Sequence, residues 1–574
     1  FRPYQFKPVL KMLMGSKQRI LIADEVGLGK TIEAGLIWSE LDLRVPMENV
    51  LVVCPAALKK KWQDEMYRRF DRKLEDLNNE RLSIWLDQIE LGRSEPLKAI
   101  ASLEGLRSSI HLERLARLAP RFDLIIVDEA HYLRNSHTQS FALGEIISDI
   151  ADALVFLSAT PLNLGNNDLF NLLNLLDSSQ FFDRGVFDDQ LEPNKYLNEI
   201  ARNLLNRDLD PRELLPFLKA IKGTALGHTL VKRSDFESLE ELLSQKSLST
   251  NQISKAKRHI AELNTLASVF TRTRKAETPE KRAIRTPISV QVNWSDEEHE
   301  AYSFIRKWFT ERALAKGISP GLALQMPLRQ AASCLPATFE LLQDKYGFAA
   351  EEYEGLDAYD GNESAESIIK IMDFDLNIVP TIPLDTKYLE FEKTLLKARK
   401  NGMAKQVLIF SFFTRTINYL QRELSKTGIS VKVMYGATPP KERQELMTSF
   451  RKGDFDILIC SEVGSEGLDF EFCDTLVNYD VPWNPMKVEQ RIGRLDRFGQ
   501  KADKIFIYNM QIPGTIEDDI FMRLYARIGV FEQSIGELEP ILREELVALT
   551  EMALNPKLTE VEREREVHRI NVAV

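Results

Sequence analysis

The chain has 574 residues, of which 44% are hydrophobic and 28% charged, with 75 Lys+Arg against 86 Asp+Glu and a formal net charge of −11. A length of this order suggests about three to five structural units. The composition excludes a disordered or collagen-like polymer, and the acidic balance excludes a chain-wide basic coat for nucleic acid while leaving room for a local basic track. No run approaches the ~18 consecutive apolar residues of a bilayer-spanning helix, so no membrane is expected as a partner. The four cysteines, Cys54, Cys334, Cys460 and Cys473, form no CxxC pair. They read as reduced, mostly buried thiols in a cytoplasmic protein. The chain opens with Phe1 rather than Met, as expected of a fragment, which would hide any targeting segment.

In chain order, the first segment alternates short apolar runs with helical patterns. Ile20–Ala23 precedes a glycine-rich turn, Val50–Cys54 ends at Pro55, Leu124–Val127 ends at Asp128, and Ala153–Leu157 ends at Ser158. Such runs read as buried parallel strands of an α/β domain, in which ligands gather at the carboxyl ends of the strands. The pattern returns at Gln406–Ser411, Val431–Met434, Ile457–Cys460, Thr475–Asn478 and Lys504–Tyr508. The expected architecture is therefore α/β: two parallel-sheet lobes, 1–164 and 385–517, a mainly helical insertion and linker over 165–384, and a helical extension over 518–574. Within the insertion, residues 251–285 hold nine Lys/Arg against three Asp/Glu, while 350–366 carries seven acids, no bases and two glycines and reads as a solvated linker. Residues 536–567, with nine Glu against four Lys/Arg, read as a solvated helix face or a partner-binding surface.

The chemistry begins at Asp24-Glu-Val-Gly-Leu-Gly-Lys-Thr31, between a strand and a helix. Gly27 and Gly29 let the backbone curl so that N–H groups face phosphates. Lys30 reaches the β/γ-phosphates and Thr31 ligates Mg²⁺, with the helix N-terminus adding partial positive charge. Asp24 stands where the strict GxxxxGK(S/T) pattern has its first glycine. Asp128-Glu-Ala-His131 ends another strand. Adjacent acids there are costly to bury without a cation. Asp128 suits Mg²⁺ and Glu129 a general base, while His131 either couples the site to the next motif or caps the following turn. Together these motifs imply an NTPase.

DEVGLGKT, DEAH and Ser158-Ala-Thr160 taken together resemble the superfamily-two helicase-type ATPases, in their Swi/Snf-like branch, whose first motif reads DExGLGKT and so accounts for Asp24. The resemblance implies RecA-like lobes, ATP and Mg²⁺ as cofactors, and a set of further site residues. Phe1-Arg-Pro-Tyr-Gln5 resembles the adenine-reading motif, with Gln5 on the base edge and Arg2 beside it. Glu25, Gly27, Leu28 and Gly29 then line the nucleotide with Lys30 and Thr31. The loops at Pro55 and Ala56 and at Ser102 resemble contacts to the nucleic-acid backbone. So does Ser411 after Phe410, and so do Ser461 and Glu462 in the motif Ser461–Asp469. Gly464 in that motif allows close backbone approach, and Gly467 and Asp469 would lie near the ribose and phosphates. In Gln490-Arg-Ile-Gly-Arg-Leu-Asp-Arg497 the resemblance assigns Arg494 and Arg497 as fingers on the γ-phosphate and leaves Arg491 as a support. In Asp480-Val-Pro-Trp-Asn-Pro485, Trp483 is expected to pack and Asn484 to shape a turn. Thr271-Arg-Thr-Arg-Lys275 resembles a basic element that serves phosphates or braces the lobes.

ATP would sit between the lobes, with Lys30, Thr31, Asp128 and Glu129 on one side and Arg494 and Arg497 on the other. The implied function is a double-stranded-DNA translocase that remodels or clears DNA-bound complexes, acting with RNA polymerase or with subunits of a bacterial defence system. The QRIGRLDR spelling and Phe531–Glu537 point to the RapA-like bacterial branch and a nucleoid-associated location. The competing classes are an RNA-dependent ATPase or helicase and a scaffold subunit with a weak nucleotide site.

Overall fold

Five consecutive apolar residues, Val50–Cys54, form a strand in which every residue is buried, the signature of a parallel sheet covered on both faces. The computed structural model describes residues 1–15, 17–25, 27–93, 96–158, 166–204, 209–273, 283–318, 320–343, 384–400, 402, 404–465, 467–482, 485–497, 499–513 and 515. The chain divides into two units, Phe1–Thr278 and Pro279–Val574. That division falls inside the 165–384 stretch read from sequence as one insertion. The 518–574 extension, the acidic 350–366 segment and Phe531–Glu537 lie outside the described residues.

In the first unit the strands are β1 (Arg19–Ile22), β2 (Val50–Cys54), β3 (Glu75–Leu77), β4 (Lys98–Ser102), β5 (Phe122–Val127), β6 (Ala151–Leu157) and β7 (Phe270–Thr271). Among the described residues they form one sheet in the order β3-β4-β2-β5-β6-β1-β7, with every pairing parallel. Alternate residues feed opposite cores, because successive side chains in a strand point to opposite faces. Ile20, Ile22, Val50, Val52 and Ile126 pack with α1 (Lys7–Met14), α2 (Lys30–Arg44) and α3 (Lys59–Phe70) through Val9, Trp38 and Trp62. Leu21, Leu51, Val53, Ile125 and Val127 pack on the other face with Leu86, Leu143 and Leu172. A separate helical core, from Leu197 to Leu263, lies within the insertion.

In the second unit the strands among the described residues are β8 (Ile284–Gln291), β9 (Val407–Phe410), β10 (Val431–Met434), β11 (Ile457–Cys460), β12 (Thr475–Asn478) and β13 (Lys504–Gln511). They too are all parallel, in the order β10-β11-β9-β12-β13-β8. β9, β11 and β12 are buried along their whole length. β8 is an edge strand, which is where Pro287, lacking an N–H, is tolerated. Two α/β sheets with helical layers are thus present. β7, of two residues, and β8, of eight, add strands to the stretch read as helical. Among the described residues no helix is long and apolar enough to cross a membrane.

Candidate functional site

Because the first sheet is wholly parallel, the loops after β1, β5, β6, β2 and β4 all leave the same edge. The loop after β1 enters α2 at Gly29, whose φ is +92°; Gly27 has φ +89°. A Cβ at Gly29 would also lie 2.8 Å from Gln5 Nε2, so glycine is required there twice over. Gln5 is buried. Its Nε2 donates to Leu28 O at 3.0 Å, its Oε1 accepts from Arg2 N at 2.9 Å, and Tyr4 Oη donates to Leu28 O at 3.2 Å. Tyr4 and Gln5 are therefore bonded to the glycine turn at Leu28. Lys30 Nζ donates to Asp24 O at 2.8 Å.

β5 delivers Asp128 and Glu129 two strands from β1. Asp128 Oδ2 accepts from the indole Nε1 of Trp62 on α3 at 2.8 Å, and Oδ1 accepts from Glu129 N at 2.9 Å. Burial, reinforced by the neighbouring Glu129 charge, pushes the Asp128 carboxyl up to about 6, against the opposing pull of Trp62 and Lys30. Glu129 takes a left-handed conformation (φ +51°, ψ +44°). For a residue with a Cβ this costs about 1–2 kcal/mol, and such strain gathers at functional positions. Glu129 Oε2 lies 3.2 Å from His131 Nδ1. Ser158, after β6, donates its N–H to Ile22 O at 3.0 Å; Ala159 and Thr160 lie outside the described residues. Sequence reasoning gave no role to Trp62 or to Glu33. Glu33 is buried on α2, and burial together with Asp24 raises its carboxyl well above the usual range. A cue for Glu33 was an acid three residues after Lys30, on the same helix face.

The expected backbone-contact loops of this unit follow β2 and β4. Pro55 is buried and Ala56 exposed. The Ala56 N–H donates to Glu104 Oε2 at 3.2 Å. Ser102 Oγ accepts from Gly105 N at 3.1 Å.

In the second unit, the loop after β11 begins at Ser461, whose N–H donates to Met434 O at 3.0 Å and whose Oγ accepts from Gly464 N at 3.0 Å. A Cβ at Gly464 would lie 2.6 Å from Met434 O, so the close approach expected there is made to the end of β10. Gly467 has φ +77°. The helix Pro485–Leu495 carries Arg491 and Arg494, with Arg497 just beyond its end. Arg497 pairs with Asp469, and its Nε donates to Gly493 O at 2.8 Å. Arg494 is half-buried, its carbonyl accepting from Phe470 N at 2.9 Å.

Arg491 is 2% exposed and acts as a hub. Its Nη1 donates to Asn478 Oδ1 at 3.0 Å and to Asp480 O at 2.9 Å, and its Nε donates to Glu462 Oε1 at 3.2 Å. Its guanidinium lies 5.2 and 5.1 Å from the Phe410 and Phe412 ring centroids. Lys487 Nζ is 3.3 Å from Glu462 Oε2. Ser411 is fully buried. Its hydroxyl donates to Asp480 Oδ2 at 2.5 Å, beside Ser333 Oγ at 2.8 Å and Phe412 N at 3.0 Å from Asp480 Oδ1. Trp483, Asn484, Arg274 and Lys275 lie outside the described residues; Arg272 is half-buried.

One turn shaped by two glycines, a lysine at a helix start and a pair of acids after one strand thus stand on the first unit. Residues 4–332 match the family model of the SNF2-related domain. The chain belongs to that family. Residues 387–499 match the helicase conserved C-terminal domain, so this SNF2-family chain is a helicase-type ATP hydrolase. It is 27% identical over 541 residues to the uncharacterized ATP-dependent helicase YqhH of Bacillus subtilis (strain 168), covering 94% of this chain and 80% of that protein. The structure of the Sulfolobus solfataricus SWI2/SNF2 ATPase core in complex with dsDNA aligns over 96% of both chains at 16% identity and a TM-score of 0.33, a likeness too loose to bear on any residue below.

Proposed function

We propose that this SNF2-family chain is a duplex-DNA translocase whose ATP hydrolysis is stimulated by DNA, and that it uses the cycle to remodel or clear complexes bound to DNA. The observation that supports the reading is that each unit holds one set of the residues the ATPase resemblance assigns. In the first unit Lys30 and Thr31 open α2 while Asp128 and Glu129 follow β5, and in the second Arg494 and Arg497 lie at and just beyond the end of one helix. The residues present fit the nucleotide and its metal. The glycine turns leave room for phosphates, and the buried, charge-crowded Asp128 is a carboxylate that a cation would relieve. Thr31 and Asp128 would hold Mg²⁺, which when bound neutralises charge on the phosphate oxygens.

In this reading Lys30 leaves the Asp24 carbonyl for the β/γ-phosphates. Gln5, held by Arg2 N, presents its amide to the adenine edge. Glu129 accepts the proton of the attacking water, with His131 alongside. Arg494 and Arg497 stabilise the charge developing on the γ-phosphate as bidentate donors, Arg497 exchanging Asp469 for phosphate. Because those arginines belong to the other unit, turnover requires the two units to close on ATP, and DNA promotes that closure. The DNA contacts are to the backbone and largely independent of sequence. They are made by the Pro55–Ala56 and Ser102 loops of one unit and the Ser411 and Ser461–Glu462 loops of the other. The engaged hydroxyls of Ser411 and Ser461 hold those loops in shape.

The test is ATP hydrolysis by the purified chain with no nucleic acid, duplex DNA, single-stranded DNA or RNA. Stimulation by duplex DNA, followed by triplex displacement, supports the proposal. Stimulation by RNA alone would move the chain to the RNA-dependent class, and indifference to all three would defeat the coupling to nucleic acid.

A further inference from the structure

A buried carboxylate stands between the catalytic lysine and the strand by which the chain leaves its first unit. Asp24 and Glu33 are both completely buried. The Asp24 carbonyl holds Lys30 Nζ at 2.8 Å, while its carboxylate Oδ1 accepts the Thr273 N–H at 2.8 Å. The same short stretch is laced to 271–273 by its main chain. Ala23 N donates to Thr271 O at 2.7 Å and Glu25 N to Thr273 O at 3.2 Å. Glu33 faces Asp24, and neither Asp24 Oδ2 nor either Glu33 oxygen has another hydrogen-bond partner among the described residues.

Burying an acid is expensive, and a small apolar side chain would pack this position at lower cost. If the only need were to shape the phosphate turn, the carboxylate would be a liability. What it adds is a specific bond to an amide 249 residues away, in the segment that leads out of the first unit. We propose that Asp24 is a positioning residue that links the nucleotide state of Lys30 to the 271–273 strand end. With no nucleotide, Lys30 pins the Asp24 main chain. When the ammonium moves to phosphate the pin is released, and the change passes through the Asp24–Thr273 bond to the exit strand. The inference rests on the ATP site proposed above.

The experiment measures ATP-analogue affinity by titration and amide hydrogen exchange of the 269–273 peptide, with and without a non-hydrolysable ATP analogue and Mg²⁺. In the parent the analogue shifts exchange of that peptide by about fivefold or more, the scale of one hydrogen bond made or lost. Asp24→Ala still binds the analogue within about the same factor, but its 269–273 peptide no longer responds. Asp24→Asn keeps an oxygen acceptor for the Thr273 N–H, so it folds and responds as the parent does. The proposal is overturned if Asp24→Ala responds like the parent. It is equally overturned if Asp24→Asn binds the analogue but has lost the response, or if Asp24→Ala loses nucleotide binding as Lys30→Ala does, which would make Asp24 part of the phosphate turn alone. A parent that binds no ATP analogue would sink the site itself, and this link with it.

Discussion

Replacing Arg491 with methionine tests how far the second unit depends on its buried cation. Methionine fills similar space and adapts its shape, so the loss is mostly electrostatic. Breaking a buried ion pair by removing one partner costs about 3–5 kcal/mol. Here Glu462 retains Lys487 at 3.3 Å, and the Asp480 carboxylate retains Ser333, Ser411 and the Phe412 N–H. The lower end therefore applies, about 3 kcal/mol, or about a hundredfold in an opening equilibrium. Hydrogen exchange resolved by peptide is the assay, because it reads the two units separately. Protection of β9 and β12, which flank the guanidinium through Phe410 and Asn478, should fall by about that factor, while β2 and β5 keep theirs. Arg491→Lys, with charge but no planar fork, should recover only part. Protection of β9 and β12 within about threefold of the parent, or an equal loss in both units, would refute the hub.

Glu129→Gln should bind ATP and fail to turn it over; hydrolysis at the parental rate would remove Glu129 from the proton-accepting role. Arg494→Ala should lower kcat much more than it raises KM for ATP, whereas equal effects on both would contradict a finger acting on developing charge. Gly35→Ala would place a Cβ 2.2 Å from Phe70 Cε2. Overpacking of that kind costs about 1–3 kcal/mol, so the melting midpoint should drop, and a second change, Phe70→Leu, should restore it; an unshifted midpoint counts against the packing. All four cysteines are buried, and burial pushes the Cys473 thiol up to about 12. At pH 8 that thiol is protonated and unreactive, so a thiol reagent should label none in the native protein and all four after denaturation. Fast native labelling would mean that a core opens.

The candidate site was largely legible as a set of positions because each motif is local in sequence. A glycine-rich turn, a lysine and an acidic pair each occupy one short stretch at the end of an apolar run, and β2, β10, β11 and β12 were read with their observed bounds. What escaped was long-range or weakly apolar. β4 is Lys98-Ala-Ile-Ala-Ser102, central but alanine-rich, so it offers little side-chain signal beside β2. β7 is two residues in a basic segment. β8 carries Pro287 and is mostly half-buried or exposed, as suits an edge but not a core run. The bonds that complete the site join distant stretches: Trp62 to Asp128, Asp24 to Thr273, Ser333 to Asp480. No periodicity announces such pairs, because each side chain alone satisfies an ordinary local role.

The edge strands carry a consequence for how the chain is made. β7 closes the first sheet against β1, so a ribosome must extend the chain past Thr271 before that sheet is complete. β8 emerges soon afterwards, yet its partner β13 lies 220 residues downstream, the separation of Gln291 from Gln511. Until β13 is synthesised, β8 has an unmatched ladder of N–H and C=O groups open to other chains. Nascent chains are therefore most exposed to mispairing while the second unit is half made, and a split-gene version of the protein should be cut between 273 and 284 rather than at the lobe boundary expected near 164.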